Sequence, residues 1–72
     1  MTNAERLQAA IVRLIEDAAE REHMGKCKFC DANGIHRSTL GSPAQRLPVD
    51  TLARIAKACG VTIADIFKEA GL

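Results

Sequence analysis

The sequence predicts an all-α domain of five short helices, and three observations carry that expectation. Apolar residues recur at three- and four-residue intervals through most of the chain, and no segment reads as a strand. Two capping boxes, Thr2-Asn3-Ala4-Glu5 and Thr62-Ile63-Ala64-Asp65, open two of these runs. Gly34 and Gly60 stand just past the ends of two others, where a helix stops most readily.

Each element follows in order. After the first capping box, Leu7, Ile11, Leu14, Ile15 and Ala18 share a face, with Arg6, Arg13, Glu16, Asp17 and Glu20 opposite, so helix one should run from Asn3 to Arg21. A short second helix, from about Lys26 to Asn33, ends at Gly34. The third begins near His36 and is expected to last only about two turns, because Gly41 and Pro43 both oppose its continuation. A loop from Ser42 to Leu47 follows. Pro48 suits the first position of the fourth helix, in which Leu52, Ile55, Ala56 and Cys59 face one way until Gly60. Ile63, Ile66, Phe67 and Ala70 form the stripe of the fifth. Phe29 and Phe67 both lie on apolar faces and are expected in the core, which leaves no aromatic platform for stacking single-stranded nucleic acid.

Seventy-two residues make one domain, residues 1–72, with a core so small that tight packing or oligomerisation is needed. The composition, 47% hydrophobic and 26% charged, is that of an ordinary globular protein, and no apolar run approaches the roughly 18 residues of a membrane span. The polar start of the chain lacks a signal-peptide pattern, so a cytoplasmic location and no membrane partner are expected. Three cysteines, an odd number, argue for reduced thiols over a disulfide framework. The net charge of +1 is unevenly spread: residues 24–49 carry Lys26, Lys28, Arg37 and Arg46 against Asp31 alone, whereas residues 1–23 are acidic by two charges. A basic segment of this kind is an electrostatic footprint for phosphate contacts.

That segment also contains the motif with the most chemical content. In Phe29-Cys30-Asp31-Ala32-Asn33-Gly34-Ile35-His36-Arg37-Ser38-Thr39-Leu40, a small residue at Cys30 permits close helix approach and Gly34 permits a positive φ. Ile35 and Leu40 anchor the turn, and His36-Arg37-Ser38-Thr39 is left facing outward. The order of residue types resembles a helix-turn-helix spanning helices two and three. Downstream, Pro48-Val49-Asp50-Thr51-Leu52-Ala53-Arg54-Ile55-Ala56-Lys57-Ala58-Cys59-Gly60-Val61-Thr62-Ile63-Ala64-Asp65-Ile66-Phe67 resembles the last two helices of the Cro/repressor-type helix-turn-helix family, also called the xenobiotic-response-element family. Together the two segments cover about residues 24–67. The chain departs from the family pattern at His36, where Ser or Thr is usual, and in a link from Leu40 to Leu52 that is shorter than the family's.

The resemblance implies a compact repressor-like domain that regulates transcription on double-stranded DNA, commonly as a homodimer on a palindromic operator of phage, plasmid or bacterial origin, associated with the nucleoid. Carried over by position, it implies base contacts by His36, Arg37, Ser38 and Ser42 and a phosphate contact by Lys26; Thr39 and Arg46 are further phosphate candidates, and Lys28 is read as a solvated lysine that adds phosphate attraction more than a specific contact. The chemistry suits these roles: arginine bonds guanine O6 and N7 bidentately, histidine donates to an acceptor edge, and serine does either. The C-terminal helix and tail concentrate Ile63, Ile66, Phe67, Ala70 and Leu72 in ten residues, so Ile66, Ala70 and Leu72 are the expected dimer interface.

Two other readings compete. A domain of this fold also serves as a protein-interaction module, antitoxin-like or accessory. Cys27-Lys28-Phe29-Cys30, flanked by His23 and His36, is half of a zinc-site pattern or a thiol switch, although Cys30 and Cys59 are both explained as core residues and the second half of a zinc motif is missing. No metal or other cofactor is expected. No Ser/His/Asp or Cys/His constellation and no phosphate loop is recognisable, so the chain is not expected to be an enzyme.

Overall fold

The structure, a computed structural model, describes residues 1–41 and 47–72. Among them the chain forms four α-helices, α1 (Asn3–Arg21), α2 (Lys26–Ala32), α3 (Val49–Cys59) and α4 (Ile63–Glu69), and no strand. A single turn of 3-10 helix, Arg37–Leu40, stands between α2 and α3.

The first helix organises the rest. Its capping box closes reciprocally: the Glu5 amide donates to Thr2 Oγ1 and the Thr2 amide to Glu5 Oε1, each at 3.1 Å. Nineteen residues extend about 28 Å at 1.5 Å per residue. The molecule is only 31 Å in its longest dimension, so α1 crosses all of it, and α2, the 3-10 turn, α3 and α4 each pack against it. Leu7, Ala10, Ile11, Ile15, Ala18 and Ala19 form its buried stripe. Phe29 and Cys30 from α2, Ile55 from α3 and Ile66 from α4 meet that stripe, all fully buried.

One device ends every helix. Just past each α-helix an amide reaches back five positions to a carbonyl: Met24 to Ala19, Ile35 to Cys30, Val61 to Ala56 and Leu72 to Phe67, at 2.8–3.0 Å. Closing that ring needs a left-handed residue just before the donor, and three of the four are glycines. The exception is His23, at φ 56°.

The expected third helix is not formed among the described residues: His36 to Leu40 make one 3-10 turn, with Thr39 donating to the His36 carbonyl (3.0 Å) and Gly41 to that of Ser38 (3.1 Å). The reason lies in the donors that would follow. In an α-helix the Thr39 carbonyl would accept from residue 43, which is a proline and has no N–H. Instead Gln8 Nε2, from α1, donates to the carbonyls of Thr39 (2.9 Å) and Leu40 (2.8 Å). The sequence expectation of five helices is therefore corrected to four plus this turn. Pro48 caps α3 from one position earlier than expected, its carbonyl accepting the Leu52 amide at 3.2 Å.

The C-terminal helix is also rotated relative to expectation. Ile66 is 0% exposed and Ala70 is buried, so both belong to the chain's own core and are withdrawn as dimer contacts. Phe67, expected in the core, is 36% exposed, and Leu72 is 46% exposed. No helix of the described residues is long and apolar enough to cross a membrane.

Candidate nucleic-acid interface

The residues read as base contacts sit where α2 hands over to the 3-10 turn. Gly34, at φ 69°, lets the Ile35 amide return to the Cys30 carbonyl at 2.8 Å, which drives the Ile35 side chain into the core. With Ile35 anchored, the next three residues are turned to solvent: His36, Arg37 and Ser38 are all exposed. Gln8 and the contact with α2 hold the turn from beneath.

All three exposed side chains are tied locally. The Ser38 amide donates to His36 Nδ1 at 3.1 Å, capping the turn as a serine or threonine hydroxyl would, and Ser38 Oγ lies 2.7 Å from the same nitrogen. Because Nδ1 accepts, the imidazole keeps its N–H on Nε2 and remains a donor there. Arg37 is held by Asp31 at the end of α2: Nη2 donates to Oδ2 at 2.7 Å, and Nε lies 3.2 and 3.3 Å from Oδ2 and Oδ1. The Arg37 hydrogen bond and charge keep the Asp31 carboxyl below its ordinary range, and Asp31 in turn raises the guanidinium. Both side chains stay more than half exposed, at 63% and 53%.

The phosphate candidates divide. Lys26, first residue of α2, is exposed and donates to Glu16 Oε1 of α1 at 3.2 Å, so part of its charge is compensated. Lys28 is exposed, with no ion-pair partner among the described residues. Thr39 is 3% exposed, packed under the turn, and is withdrawn from the candidate surface. Ser42 and Arg46 lie outside the described residues.

The cysteines keep separate company. Cys27 is exposed, while Cys30 and Cys59 are buried. Burial pushes both buried thiols up; the neighbouring Cys27 adds to the effect at Cys30, and Arg21 opposes it at Cys59. Among the described residues no three of His, Cys, Asp and Glu gather into a group that could hold a metal ion, so His23, Cys27, Cys30 and His36 do not form one.

Two contributors escaped the sequence reading. Asp31 was visible as the single acid in a basic segment, and a hydrogen-bonding reach across the six residues to Arg37 is its structural meaning. Gln8 stands on the inward face of α1 between Leu7 and Ile11, a polar residue within an apolar stripe, and that position was the available signal. Compared with known proteins, the chain matches no family model, no curated protein and no solved structure.

Proposed function

We propose that the chain is a sequence-specific regulator of transcription that binds double-stranded DNA in the manner of the Cro/repressor-type proteins its sequence resembles, working as a homodimeric repressor on an inverted-repeat operator. The observation that carries this reading is the exposed triplet His36-Arg37-Ser38, in which every side chain is fixed by a local hydrogen bond and the turn beneath is pinned to α1. Pre-organised polar groups of this kind bind with little loss of side-chain freedom, which favours selective contact with base edges. Lys28, exposed on α2, supplies a phosphate contact, and Lys26 supplies a second once DNA competes with Glu16 for it.

A second reading, a protein-interaction module of the same architecture, is favoured by one observation: two of the basic residues in the segment, Lys26 and Arg37, are already paired with acids. Salt dependence separates the two. Titrating duplex DNA from upstream of the chain's own gene between about 50 and 200 mM salt should show affinity falling steeply as condensed counterions are released. Lys28→Ala should weaken selected and scrambled duplexes alike and lower the salt slope by about one. Absence of duplex binding at the lower salt concentration favours the protein-interaction reading.

A further inference from the structure

We infer that Asp31 is a specificity-determining positioning residue, which holds Arg37 by the side edge of its guanidinium so that only the end edge is offered to a base, and that the base so selected is guanine. This rests on the DNA-binding reading of the same surface. A guanidinium has two edges that make paired hydrogen bonds, one formed by Nε and Nη2 and the other by Nη1 and Nη2, with five N–H donors between them. Asp31 occupies the first edge: Nη2 meets Oδ2 at 2.7 Å and Nε lies within 3.3 Å of both carboxylate oxygens. The second edge retains one parallel N–H from each terminal nitrogen. Two parallel donors match the two adjacent acceptors, N7 and O6, that guanine presents in the major groove; adenine offers an acceptor beside a donor and cannot accept both.

Charge supports the same assignment. Arginine and aspartate together carry no net charge, so Arg37 contributes little to sequence-independent attraction, and the carboxylate repels any phosphate that would draw the guanidinium onto the backbone. A structural purpose accounts for less. An ion pair with both partners more than half exposed adds little to stability, and the fold on either side of it is already held by the Ile35 anchor and by Gln8.

The inference predicts opposite effects on two DNAs. A duplex selected from a randomised pool by the wild-type chain, and a scrambled duplex of the same composition, are titrated with wild type, Asp31→Asn, Asp31→Glu and Arg37→Ala. Asp31→Asn should bind the scrambled duplex more tightly, because one negative charge is gone, yet lose about 5- to 150-fold of its preference for the selected duplex, the discrimination one bidentate contact supplies. Repeating the selection with Asp31→Asn should relax one guanine position. Arg37→Ala should relax that same position, and Asp31→Glu, which keeps the charge and both acceptors, should recover part of the preference. The inference is overturned if Asp31→Asn tightens both duplexes by one factor and still selects the guanine. A wild-type chain that enriches no sequence and binds neither duplex overturns the DNA-binding reading itself, a distinguishable failure.

Discussion

At the scale of single residues, burial and not sequence spacing decides what the cysteines do. Cys27 and Cys30 lie three apart on α2, yet one is exposed and the other is enclosed beneath α1 with its thiol pushed up by desolvation. Thiolate is the reactive form, so a buried thiol raised in this way is slow towards any reagent. With an aromatic disulfide reagent at neutral pH, one of the three thiols per chain should react promptly in the native protein, and Cys30 and Cys59 only at the rate of unfolding. All three should react in denaturant. A second prompt thiol that disappears in Cys30→Ala would show that Cys30 is accessible and that the Cys-x-x-Cys pair is a reactive unit. His36 makes a related point. A position usually held by serine or threonine is filled by a ring nitrogen that accepts the same amide, so the capping function survives a change of residue type.

At the scale of elements, what was legible in the sequence was whatever local chemistry decides. The start of α1 follows from its capping box, and the end of α3 and the start of α4 from Gly60 and the Thr62 box; α1 ends instead through His23 in the left-handed region. The segment after His36 was misread because its fate is set by a partner 31 positions away: Gln8 takes the carbonyls that a longer helix would have used internally. Pro43 was a local warning of this, since it removes the donor that Thr39 needs. The dependence is testable. Gln8→Ala strands two carbonyls under the turn and should cost about 1–3 kcal/mol of stability, read as a lower melting temperature. Gln8→Glu is the sharper variant, because it keeps the shape and replaces the donor with an acceptor facing two acceptors; it should destabilise at least as much. Unchanged melting in both variants would mean that the turn is held by Ile35 alone. Asp31 was out of reach for a similar reason, as its pairing with Arg37 depends on the angle at which the chain leaves Gly34.

At the scale of the molecule, a 72-residue chain wrapped around one helix leaves little surplus stability, and the C-terminal helix shows where that limit is felt. Ile66 and Phe67 are adjacent on one apolar stripe, and the sequence expectation gives the core to Phe67 and an interface to Ile66. The structure gives the core to Ile66. In the C-terminal helix and tail, Phe67 and Leu72 are the large apolar residues left outside, as Met1 and Val49 are elsewhere, and those of the C-terminal pair are connected: the Leu72 amide closes the helix end on the Phe67 carbonyl at 2.9 Å, an arrangement in which the two side chains commonly touch. They are therefore the residues to test for the proposed homodimer, in place of Ile66 and Ala70. A two-fold partner meeting this patch fits the proposed operator binding if it sets the two 3-10 turns about 34 Å apart, the spacing of successive major grooves on one face of DNA. Ile66→Ala should cost about 2–5 kcal/mol, a large share of the stability of so small a domain, and lower the melting temperature whatever the assembly state. Leu72→Glu should melt close to wild type, whereas Phe67→Glu also loses the covered part of its ring and should melt lower; both should sediment as monomers and bind a selected operator much more weakly. A wild-type chain that sediments as a monomer at micromolar concentration, and binds DNA one copy at a time, would remove the dimer and leave Phe67 and Leu72 as an uncommitted surface.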